Sequence, residues 1–394
     1  MINYTEALAM VRSKAHSFGT ETIPLDQAYG RALAGLVRSD RDYPPFDRAT
    51  MDGYALRSND LQQHIRAFRI IETILAGDSA TRSLSSAECY KIMTGASVPA
   101  GADIVIRRED TIEEGSVVRI QTETTRPWLN IARRGEDLKD GDIVIDSPCM
   151  ADPAIIGLLA SLGQKELKVA QLPRVALITT GNEIVPMETT PGPTQIRNSN
   201  RWLLQAFLKK WQIDPWLYQH APDDKILLRA ALEKALPADM VILCGGVSAG
   251  DADHVPETLE AAGVTRLFHK LAIKPGKPVW CGSGPRDTMV FALPGNPFSC
   301  LVGFILLIQP YLKACFGVPE EGPLSLPMSV AKKKSTPLDE FFPVRVQGAP
   351  AGLLPVSLNG SGDIRLGMQA NALALHPSGM PDLAAGDNVA YLSL

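Results

Sequence analysis

The chain has 394 residues and a formal net charge of −4, with 45% hydrophobic and 21% charged residues. This length exceeds what one ordinary hydrophobic core needs, so we expect two or more globular domains. The acidic balance argues against a general binder of nucleic acids or anionic membranes, but it is compatible with a local basic pocket for a small anion.

The N-terminal segment predicts a helix. Residues 3–16 carry apolar residues at helical spacing after Thr5, which can cap a helix. The segment has neither the long apolar stretch nor the small-residue cleavage site of a signal peptide. The six cysteines include no C-x-x-C pair and mostly lie in apolar stretches, so we expect reduced core thiols. Together these features predict a soluble cytoplasmic protein.

The region from about residue 24 to 142 has a different pattern. Short β-like runs such as IVIRRED and SVVRIQTE alternate with turn residues, which predicts a β-rich module. A second helical pattern follows over residues 153–162. We therefore expect a helical layer that is interrupted by the β module and then resumes.

From residue 173 the pattern changes again. Buried-looking runs over residues 175–180, 240–244 and 288–293 alternate with amphipathic helical patterns over 200–211, 224–236 and 297–312. This alternation predicts a parallel sheet covered on both faces, which binds ligands at the carboxyl ends of its strands. The most apolar stretch, residues 298–312, is expected to be too short for a bilayer and to end near Pro310.

After Gly322 the helical patterns stop, and short strand-like runs predict a separate small β domain. This region opens with a run of three lysines, Lys332 to Lys334. A run of like charges is usually a solvated face, so we expect these lysines to be a surface feature rather than a binding patch.

Three loops are expected to share one rim of the α/β sheet, because each follows a buried run. They are Thr180-Gly181-Asn182-Glu183, Gly245-Gly246-Val247-Ser248 and Pro294-Gly295-Asn296-Pro297. Glycine and serine allow backbone N–H groups to approach an anion. A Gly-Gly-x-Ser loop alone is equally compatible with a structural turn, but Asp251 and Asp253 follow it and favour a metal or phosphate site.

A lysine-bearing segment, residues 270–278, follows in the chain. Lys270, Lys274 and Lys277 could form a solvated face, but Pro275 and Pro278 resist a regular helix and stiffen the segment. A rigid segment of this kind is a plausible clamp for phosphate or another oxyanion. The helix predicted after Pro297 begins nearby, and free N–H groups at its start would also favour an anion.

Acidic residues elsewhere suit the same chemistry. Asp223 begins a helical pattern and is either its N-cap or a functional carboxylate. Mg²⁺ prefers carboxylate oxygens together with substrate phosphates. The candidate carboxylates are Asp52, Asp137, Glu183, Asp223 and Asp253.

Ten motifs then occur in a fixed order along the chain. They are PPFDRATMDGYA, MTGASVPAGAD, RRGEDLKDGD, TTGNEIV, IRNSN, APDD, CGGVSAGDAD, KLAIKPGKP, PGNPFSC and GSGDIRLGMQANAL. Together they closely resemble the MoeA / gephyrin E-domain family, the molybdopterin molybdenumtransferases. The resemblance covers essentially the whole chain.

The resemblance implies a multi-domain α/β and β fold with four parts. These are a discontinuous helical segment (1–25 and 143–172), a β-rich lid (26–142), a three-layer α/β molybdopterin-binding domain (173–318) and a C-terminal β-barrel-like domain (319–394). It also implies a homodimer whose active site lies between the α/β domain of one subunit and the lid of the other.

The family's reaction is the insertion of molybdate into adenylyl-molybdopterin, with Mg²⁺ as cofactor and release of AMP. By matching motifs, the resemblance implies catalytic roles for Asp52, Thr94, Asp137, Glu183, Asp223, Asp253, Lys270 and Lys274. It implies that substrate is bound by Gly245, Gly246, Ser248, Lys277, Pro294, Gly295, Asn296, Pro297 and Ser361. Metal ligands are expected among Glu183, Asp223 and Asp253. Transient contacts with an adenylyltransferase and with molybdoenzyme maturation factors are expected, and none with nucleic acid or membrane.

Three alternatives stay open. An adenylyltransferase of the same α/β type typically carries Gly-Gly-Thr-Gly, where this chain has Gly-Gly-Val-Ser. A non-catalytic scaffold would not require the carboxylates and lysines. Tungstate is close to molybdate in charge and size. Small departures from the family pattern at Ala249, His254 and Asp363-Ile364-Arg365 concern substrate detail rather than reaction class.

Overall fold

The computed structural model describes residues 1–146, 148–247, 254–365 and 369–394. The chain packs as two compact units. The first comprises Met1–Ala34, Ser147–Leu158 and Lys165–Leu394, and the second comprises Gly35–Asp146 and Leu159–Gln164. The division into four domains predicted above stays a prediction.

The helices are numbered in chain order. They are α1 (Tyr4–Ser13), α2 (Ser58–Gln62), α3 (Pro153–Ser161), α4 (Ser199–Lys209), α5 (Lys225–Ala235), α6 (Val255–Ala261), α7 (Pro297–Gly303) and α8 (Gln309–Cys315), with a π-helical segment, Phe304–Ile308, between the last two. Short 3₁₀ turns lie at Leu25–Gln27, Arg108–Asp110 and Pro285–Asp287.

The strands up to residue 170 are β1 (Thr20–Pro24), β2 (Ala32–Leu33), β3 (Val37–Arg38), β4 (Arg48–Ala49), β5 (Gly53–Leu56), β6 (Ala67–Ile74), β7 (Glu88–Ile92), β8 (Ile104–Arg107), β9 (Thr111–Glu114), β10 (Val117–Ile120), β11 (Ile131–Ala132), β12 (Ile143–Ile145), β13 (Cys149–Met150) and β14 (Glu166–Ala170). Those of the α/β region are β15 (Val175–Thr180), β16 (Ile184–Val185), β17 (Ile196–Arg197), β18 (Leu217–Ala221), β19 (Met240–Cys244), β20 (Thr265–His269), β21 (Ile273–Lys274), β22 (Trp280–Ser283) and β23 (Met289–Leu293). The last five are β24 (Leu324–Pro327), β25 (Asp339–Gln347), β26 (Gly352–Pro355), β27 (Ala372–His376) and β28 (Asn388–Ser393).

The second unit is the predicted β-rich module. Its main sheet has the strand order β8-β5-β7-β6-β10-β9. The aromatic side chains of Tyr54, Tyr90 and Phe68 are buried in it. The short β-like runs and the turn residues between them therefore predicted a β-rich unit correctly. The short helix α2 in this unit was not predicted.

The main sheet of the first unit has the order β18-β15-β19-β23-β22-β20. The first four strands are parallel, and β22 and β20 pair antiparallel. Side chains of α4 and α7 cover one face, and those of α5 and α6 cover the other. The predicted parallel core with two covered faces is confirmed. The antiparallel edge was missed because β22, with the sequence WCGS, and β20 lack a continuous apolar run.

The N-terminal helix is capped differently from the prediction. Asn3, not Thr5, is the N-cap, and its side chain accepts the backbone N–H of Glu6. The Glu6 carboxylate in turn accepts the N–H of Asn3, which completes a capping box. Thr5 lies inside the first turn.

The apolar helix is longer than predicted, because it continues through Pro310 to Cys315 over 19 residues. A proline ring clashes with the carbonyl four residues earlier in a regular α-helix. The π-helical segment directly before Gln309 widens the helix there and accommodates Pro310. By length and composition the helix could cross a bilayer. However, 83% of its most apolar stretch of 18 residues is buried inside the protein, where the helix forms the centre of the first unit's core.

A C-terminal sheet has the order β21-β25-β27-β28-β24, with β26 paired to β25. Its edge strand β21 comes from the lysine-bearing segment and pairs in parallel with β25. The first unit also contains a small sheet of order β1-β14-β2-β13. All six cysteines are free thiols, and five of them are buried, as predicted.

Candidate active site

A cavity of about 820 Å³ lies at the carboxyl ends of the parallel strands in the first unit. We call it the strand-end cavity. It is lined by the predicted site residues Glu183, Asp223, Gly245, Gly246, Pro294, Gly295, Asn296 and Pro297. The strand-end rule predicted that the loops with Glu183, Gly245, Gly246 and residues 294–297 share one rim, and they line one cavity here; Asp223 was not placed by that rule, and the roles of all these residues stay predictions. Ser248 and Asp253, which were predicted to belong to the same site, lie outside the described residues.

Two glycines allow the loops of this rim to pack closely against Thr180 and Glu183. Gly245 has φ +105°, and a Cβ atom there would lie 2.5 Å from the Thr180 hydroxyl oxygen. Gly181 has φ +133°, and a Cβ atom there would lie 2.5 Å from the Glu183 carboxylate. Both positions therefore favour glycine for conformation, and Gly245 also for space, because a Cβ atom there would lie 2.8 Å from the Thr180 carbonyl oxygen.

The two adjacent aspartates before α5 have different roles. Asp224, not Asp223, is the N-cap, and its carboxylate accepts the N–H groups of Ile226 and Leu227. Asp223 instead exchanges hydrogen bonds with Asn182: its carboxylate accepts the Asn182 N–H at 3.1 Å, and its own N–H donates to the Asn182 side chain at 3.2 Å. Because a neighbour caps the helix, the Asp223 carboxylate is available at the cavity.

Two buried polar atoms in the cavity wall have no hydrogen-bond partner among the described residues. They are Oγ1 of Thr180 and Oδ1 of Asn200, whose residues are 7% and 8% exposed. The Asn200 amide nitrogen donates to the Gly295 carbonyl and to the Cys244 sulfur. This fixes the amide so that its oxygen is a free acceptor. Buried polar atoms are normally paired, so both atoms suit a ligand with hydrogen-bonding edges.

Sequence reasoning placed Thr180 on the rim without assigning it a role in the site, and it did not place Asn200 there. Thr180 ends β15 directly before Gly181, and Asn200 belongs to the IRNSN motif that was used for the family resemblance. Their positions in the motifs could have identified them. Their lack of partners could not be predicted, since it depends on the packing around each side chain.

The described residues include no group of three or more His, Cys, Asp or Glu side chains suited to hold a metal ion. Glu183 and Asp223 nevertheless line one cavity. Mg²⁺ is commonly bound by only one or two carboxylates together with substrate phosphates and water. The residues present therefore fit Mg²⁺ that is bound with a phosphate-bearing substrate.

A second cavity, of about 680 Å³, lies beside the first. We call it the lysine cavity. The predicted residues Lys274, Lys277 and Ser361 line it, and Pro278, Pro294 and Asn296 line both cavities. Asn296 donates a hydrogen bond from its side chain to the Ser361 hydroxyl at 2.9 Å. Lys270 is not among the lining residues of either cavity and has left-handed backbone, with φ 70°.

The predicted solvation of the lysine run is wrong for two of its three members. The Lys332 side chain is 14% exposed, lines the lysine cavity and forms an ion pair with Glu340 at 2.9 Å. The Lys334 ammonium donates to the carbonyls of His376 and Pro377. Lys333 is exposed. Lys332 forms an antiparallel bridge with Leu383, and in extended backbone alternate side chains point to the same side, so Lys332 and Lys334 both turn inward.

The start of α7 also differs from the prediction. Pro297 has no N–H group, and the Phe298 N–H donates to the Ser361 carbonyl at 3.1 Å. The amide of Phe298 is therefore already used by the protein. The predicted anion site at this helix start is not supported by Phe298.

In the second unit, the predicted site residues Asp52 and Thr94 contact each other; their role in an active site stays a prediction. The Thr94 N–H and hydroxyl each donate to the same Asp52 oxygen at 2.7 Å. The hydrogen bonds from Thr94 hold the pKa of Asp52 below its ordinary value, so this carboxylate is ionised at neutral pH. Asp137 is exposed, and its backbone N–H donates to the Tyr43 carbonyl.

Both cavities and the fold around them define a class of α/β protein with a small-molecule site at the carboxyl ends of its parallel strands. Residues 2–163 match the MoeA N-terminal region (domain I and II), and residues 176–314 match a probable molybdopterin binding domain. A molybdopterin molybdenumtransferase of Staphylococcus aureus is 32% identical, over 98% of this chain and 93% of the relative. One from Staphylococcus epidermidis is 31% identical, over 98% and 94%. The crystal structure of the molybdopterin biosynthesis MoeA protein of Pyrococcus horikoshii OT3 is similar, with a TM-score of 0.84, 28% identity and full coverage of both chains.

The chain therefore belongs to the molybdopterin molybdenumtransferase family, and it is a transferase of molybdenum cofactor biosynthesis. The family, the fold class and the reaction class predicted from the motifs are confirmed.

Proposed function

We propose that this transferase binds adenylyl-molybdopterin in the strand-end cavity and molybdate in the adjoining lysine cavity, and that it releases AMP and the finished cofactor. The observation that carries the proposal is the pairing of two contiguous cavities with different linings. The strand-end cavity presents two carboxylates, Arg197 and two polar atoms that have no partner among the described residues. The lysine cavity presents three ammonium groups and one carboxylate, Glu340, which is paired with Lys332.

In the strand-end cavity, Asn200 Oδ1 accepts an N–H of the substrate, and the Thr180 hydroxyl bonds to a second polar edge. A pterin has N–H groups and ring acceptors of this kind, which suits both atoms. Gly245 and Gly246 let the backbone approach the ligand closely, because neither has a side chain to occupy that space. Together these groups hold the substrate in one orientation.

In the lysine cavity, Lys274 and Lys277 attract a dianionic tetrahedral oxyanion, which matches the charge of molybdate. Asn296 and Pro294 lie at the boundary of both cavities, so the two substrates are held next to each other. The two dithiolene thiol groups of the first substrate then form two Mo–S bonds and displace one oxo group of molybdate, which leaves as water with the two thiol protons. A separate water hydrolyses the phosphoanhydride and releases AMP. Holding the reactants side by side makes this step effectively unimolecular.

Mg²⁺, when bound by Glu183 and Asp223 with the substrate phosphates, would neutralise charge at the phosphoanhydride. The carboxylate of Asp223 is held toward the cavity by Asn182. Lys270 and the residues Ser248 and Asp253 stay predicted members of the site.

We further propose a cytoplasmic homodimer, as the family resemblance implies. Asp52, Thr94 and Asp137 are predicted to act in the active site of the partner subunit. A mixture of two inactive variants, Asp52→Ala and Glu183→Gln, tests this prediction. Restored activity in the mixture supports shared sites, whereas no recovery from an intact mixed dimer contradicts them.

The decisive experiment is molybdate insertion in vitro with adenylyl-molybdopterin and Mg²⁺, following AMP release. We expect AMP and active cofactor to form together, in a manner that depends on molybdate. If this chain instead consumes ATP to adenylylate molybdopterin, the proposal is wrong and the adenylyltransferase alternative holds. If neither reaction occurs, the scaffold alternative gains support. Tungstate in place of molybdate measures the metal preference.

A further inference from the structure

The ammonium group of Lys274 is connected to the C-terminal sheet through a serine. Its Nζ donates to the Ser335 hydroxyl oxygen at 3.2 Å, although the two residues are 61 positions apart. The Ser335 hydroxyl donates in turn to Glu340 Oε1 at 2.8 Å, and the Ser335 N–H donates to Glu340 Oε2 at 3.2 Å. Both hydrogen bonds to Glu340 orient the serine, so its oxygen faces Lys274.

The backbone supports the same arrangement. Lys274 lies on β21 directly opposite Glu340 on β25, and Ile273 lies opposite Asp339. The Asp339 N–H donates to the Ala272 carbonyl at 3.2 Å. Ile273 itself is fully buried. The lysine-bearing segment is therefore an edge strand of the C-terminal sheet, and the position of Lys274 depends on that sheet.

Two lysines of the lysine cavity have different partners: Lys332 contacts a carboxylate, whereas Lys274 contacts a hydroxyl. Glu340 is 8% exposed and is paired with Lys332, whose ammonium also lies 4.5 Å from the centre of the Phe342 ring. Burial raises the pKa of Glu340, but the hydrogen bonds from Lys332 and Ser335 outweigh this and hold the pKa below its ordinary value. Glu340 is therefore ionised and already neutralised by Lys332.

The contact partner of Lys274 is consequently a neutral hydroxyl rather than a carboxylate. A direct ion pair with Glu340 would offset the positive charge of Lys274 and weaken its attraction for an anion. A serine between the two fixes the ammonium with one hydrogen bond and leaves its charge and its other two N–H donors available.

We propose that Ser335 and Glu340 are positioning residues that hold the Lys274 ammonium in place for oxyanion binding, and that Lys332 neutralises Glu340 so that Lys274 keeps its charge. This inference rests on the proposed function of the lysine cavity. It assigns a role in the reaction to two residues that act through Lys274: exposed Ser335, which contacts Lys274, and buried Glu340, which orients Ser335.

The test uses the full-length protein and the variants Ser335→Ala, Ser335→Thr, Lys274→Met and the double variant Ser335→Ala/Lys274→Met. Molybdate binding is measured by equilibrium dialysis, and KM and kcat are measured for insertion. We expect Ser335→Ala to raise both the Kd and the KM for molybdate about fivefold, the size of one hydrogen bond, with kcat and the KM for adenylyl-molybdopterin nearly unchanged. Ser335→Thr, which keeps the hydroxyl, should bind molybdate nearly as the parent protein does.

The double variant separates positioning from a merely structural role. If Ser335 acts through Lys274, the double variant binds molybdate no more weakly than Lys274→Met alone. Ser325→Ala, an exposed serine on β24 of the same sheet, is the matched control and should have no effect. Multiplying effects in the double variant, or a Ser335→Ala protein identical to the parent, would overturn the inference while leaving the lysine cavity intact.

The variant Glu340→Gln provides a second test of the same inference. The amide oxygen can still accept the Ser335 hydroxyl, but Lys332 loses its charged partner. We expect the KM for molybdate to change less than in Ser335→Ala. A larger change, in a protein that melts at the parent temperature, contradicts the role assigned to Ser335. If Lys274→Met itself leaves molybdate binding unchanged, the proposed function of the lysine cavity fails, and this inference fails with it.

Discussion

The strand-end cavity and the lysine cavity share Pro278, Pro294 and Asn296, yet they are constructed in different ways. The first is formed largely by loops that directly follow parallel strands of one sheet. The second is formed between a loop of the α/β region and a sheet more than 60 residues further along the chain. A parallel sheet gathers its strand-end loops automatically, whereas a loop and a distant sheet meet only through specific strand pairing. The comparison teaches that sequence can predict which strand-end loops share a rim. For the lysine cavity it predicted Lys274 and Lys277 but not the residues of the C-terminal sheet that contact them.

The largest expected effect concerns the carboxylates of the strand-end cavity. Replacing Glu183 with Gln removes the charge to which we assign Mg²⁺ binding in the proposed function, so we expect turnover to fall by at least about 10²-fold. The rate of AMP release measures it. Glu188→Gln, an exposed carboxylate in the following loop, is the control and should keep parental turnover. Parental turnover in Glu183→Gln would move the chemistry away from this cavity.

A smaller effect is expected in the lysine cavity. Lys277→Met removes one ammonium from its lining, so the KM for molybdate should rise about tenfold, the size of one charge-assisted hydrogen bond. The KM for adenylyl-molybdopterin should change much less. Lys333→Met, which alters the exposed member of the lysine run, should leave both values unchanged. Equal changes in the two KM values would show that the cavities do not divide the substrates as proposed.

The Thr180 hydroxyl in the strand-end cavity offers a test in which stability and substrate binding should change in opposite directions. Thr180→Val is nearly isosteric and removes a buried hydroxyl that has no partner among the described residues. We expect the free protein to melt at the same or a higher temperature, and adenylyl-molybdopterin to bind about fivefold more weakly. Anaerobic titration and thermal denaturation measure the two quantities. Thr189→Val, at an exposed position, is the control. A lower melting temperature with unchanged binding would assign Thr180 to the core alone.

The smallest effect separates two adjacent aspartates. Asp224→Ala removes the N-cap of α5 and should lower the free energy of unfolding by about 1 kcal/mol, with turnover retained. Asp223→Ala should do the reverse and lower turnover with little loss of stability. Chemical denaturation and AMP release measure the two effects. If Asp224→Ala were the variant that lost turnover, the assignment of these two residues would have to be exchanged.

Several features could be predicted because they depend on short stretches of chain. Apolar runs alternating with amphipathic helices predicted the parallel core of the α/β sheet. The rule for strand ends then predicted that Glu183, Gly245 and Asn296 would share a rim. The family was predicted from ten motifs that occur in a fixed order, and molybdate was predicted as a substrate from that resemblance alone. The antiparallel edge of the same sheet was missed, because β20 and β22 carry no distinctive periodicity.

The capping residues show the limit of local patterns. Asn3 and Thr5 can both cap a helix, as can Asp223 and Asp224. The outcome depends on which residue adopts extended backbone before the first turn, as Asn3 and Asp224 do. Neighbouring chain segments determine that backbone, as Asn182 does when it exchanges hydrogen bonds with Asp223. Sequence spacing alone therefore left each pair unresolved.

The sequence by itself determined the kind of sheet, the rim that gathers the strand-end loops and the family, since each follows from periodicity or from motifs of a few residues. Only the tertiary structure decided which lysines of residues 332–334 turn inward, which buried oxygens stay unpartnered and how Lys274 reaches Ser335. These features depend on contacts between segments far apart in the chain. The pairing of β21 with β25 sets the last of them, because strand register is specified by packing and not by local composition.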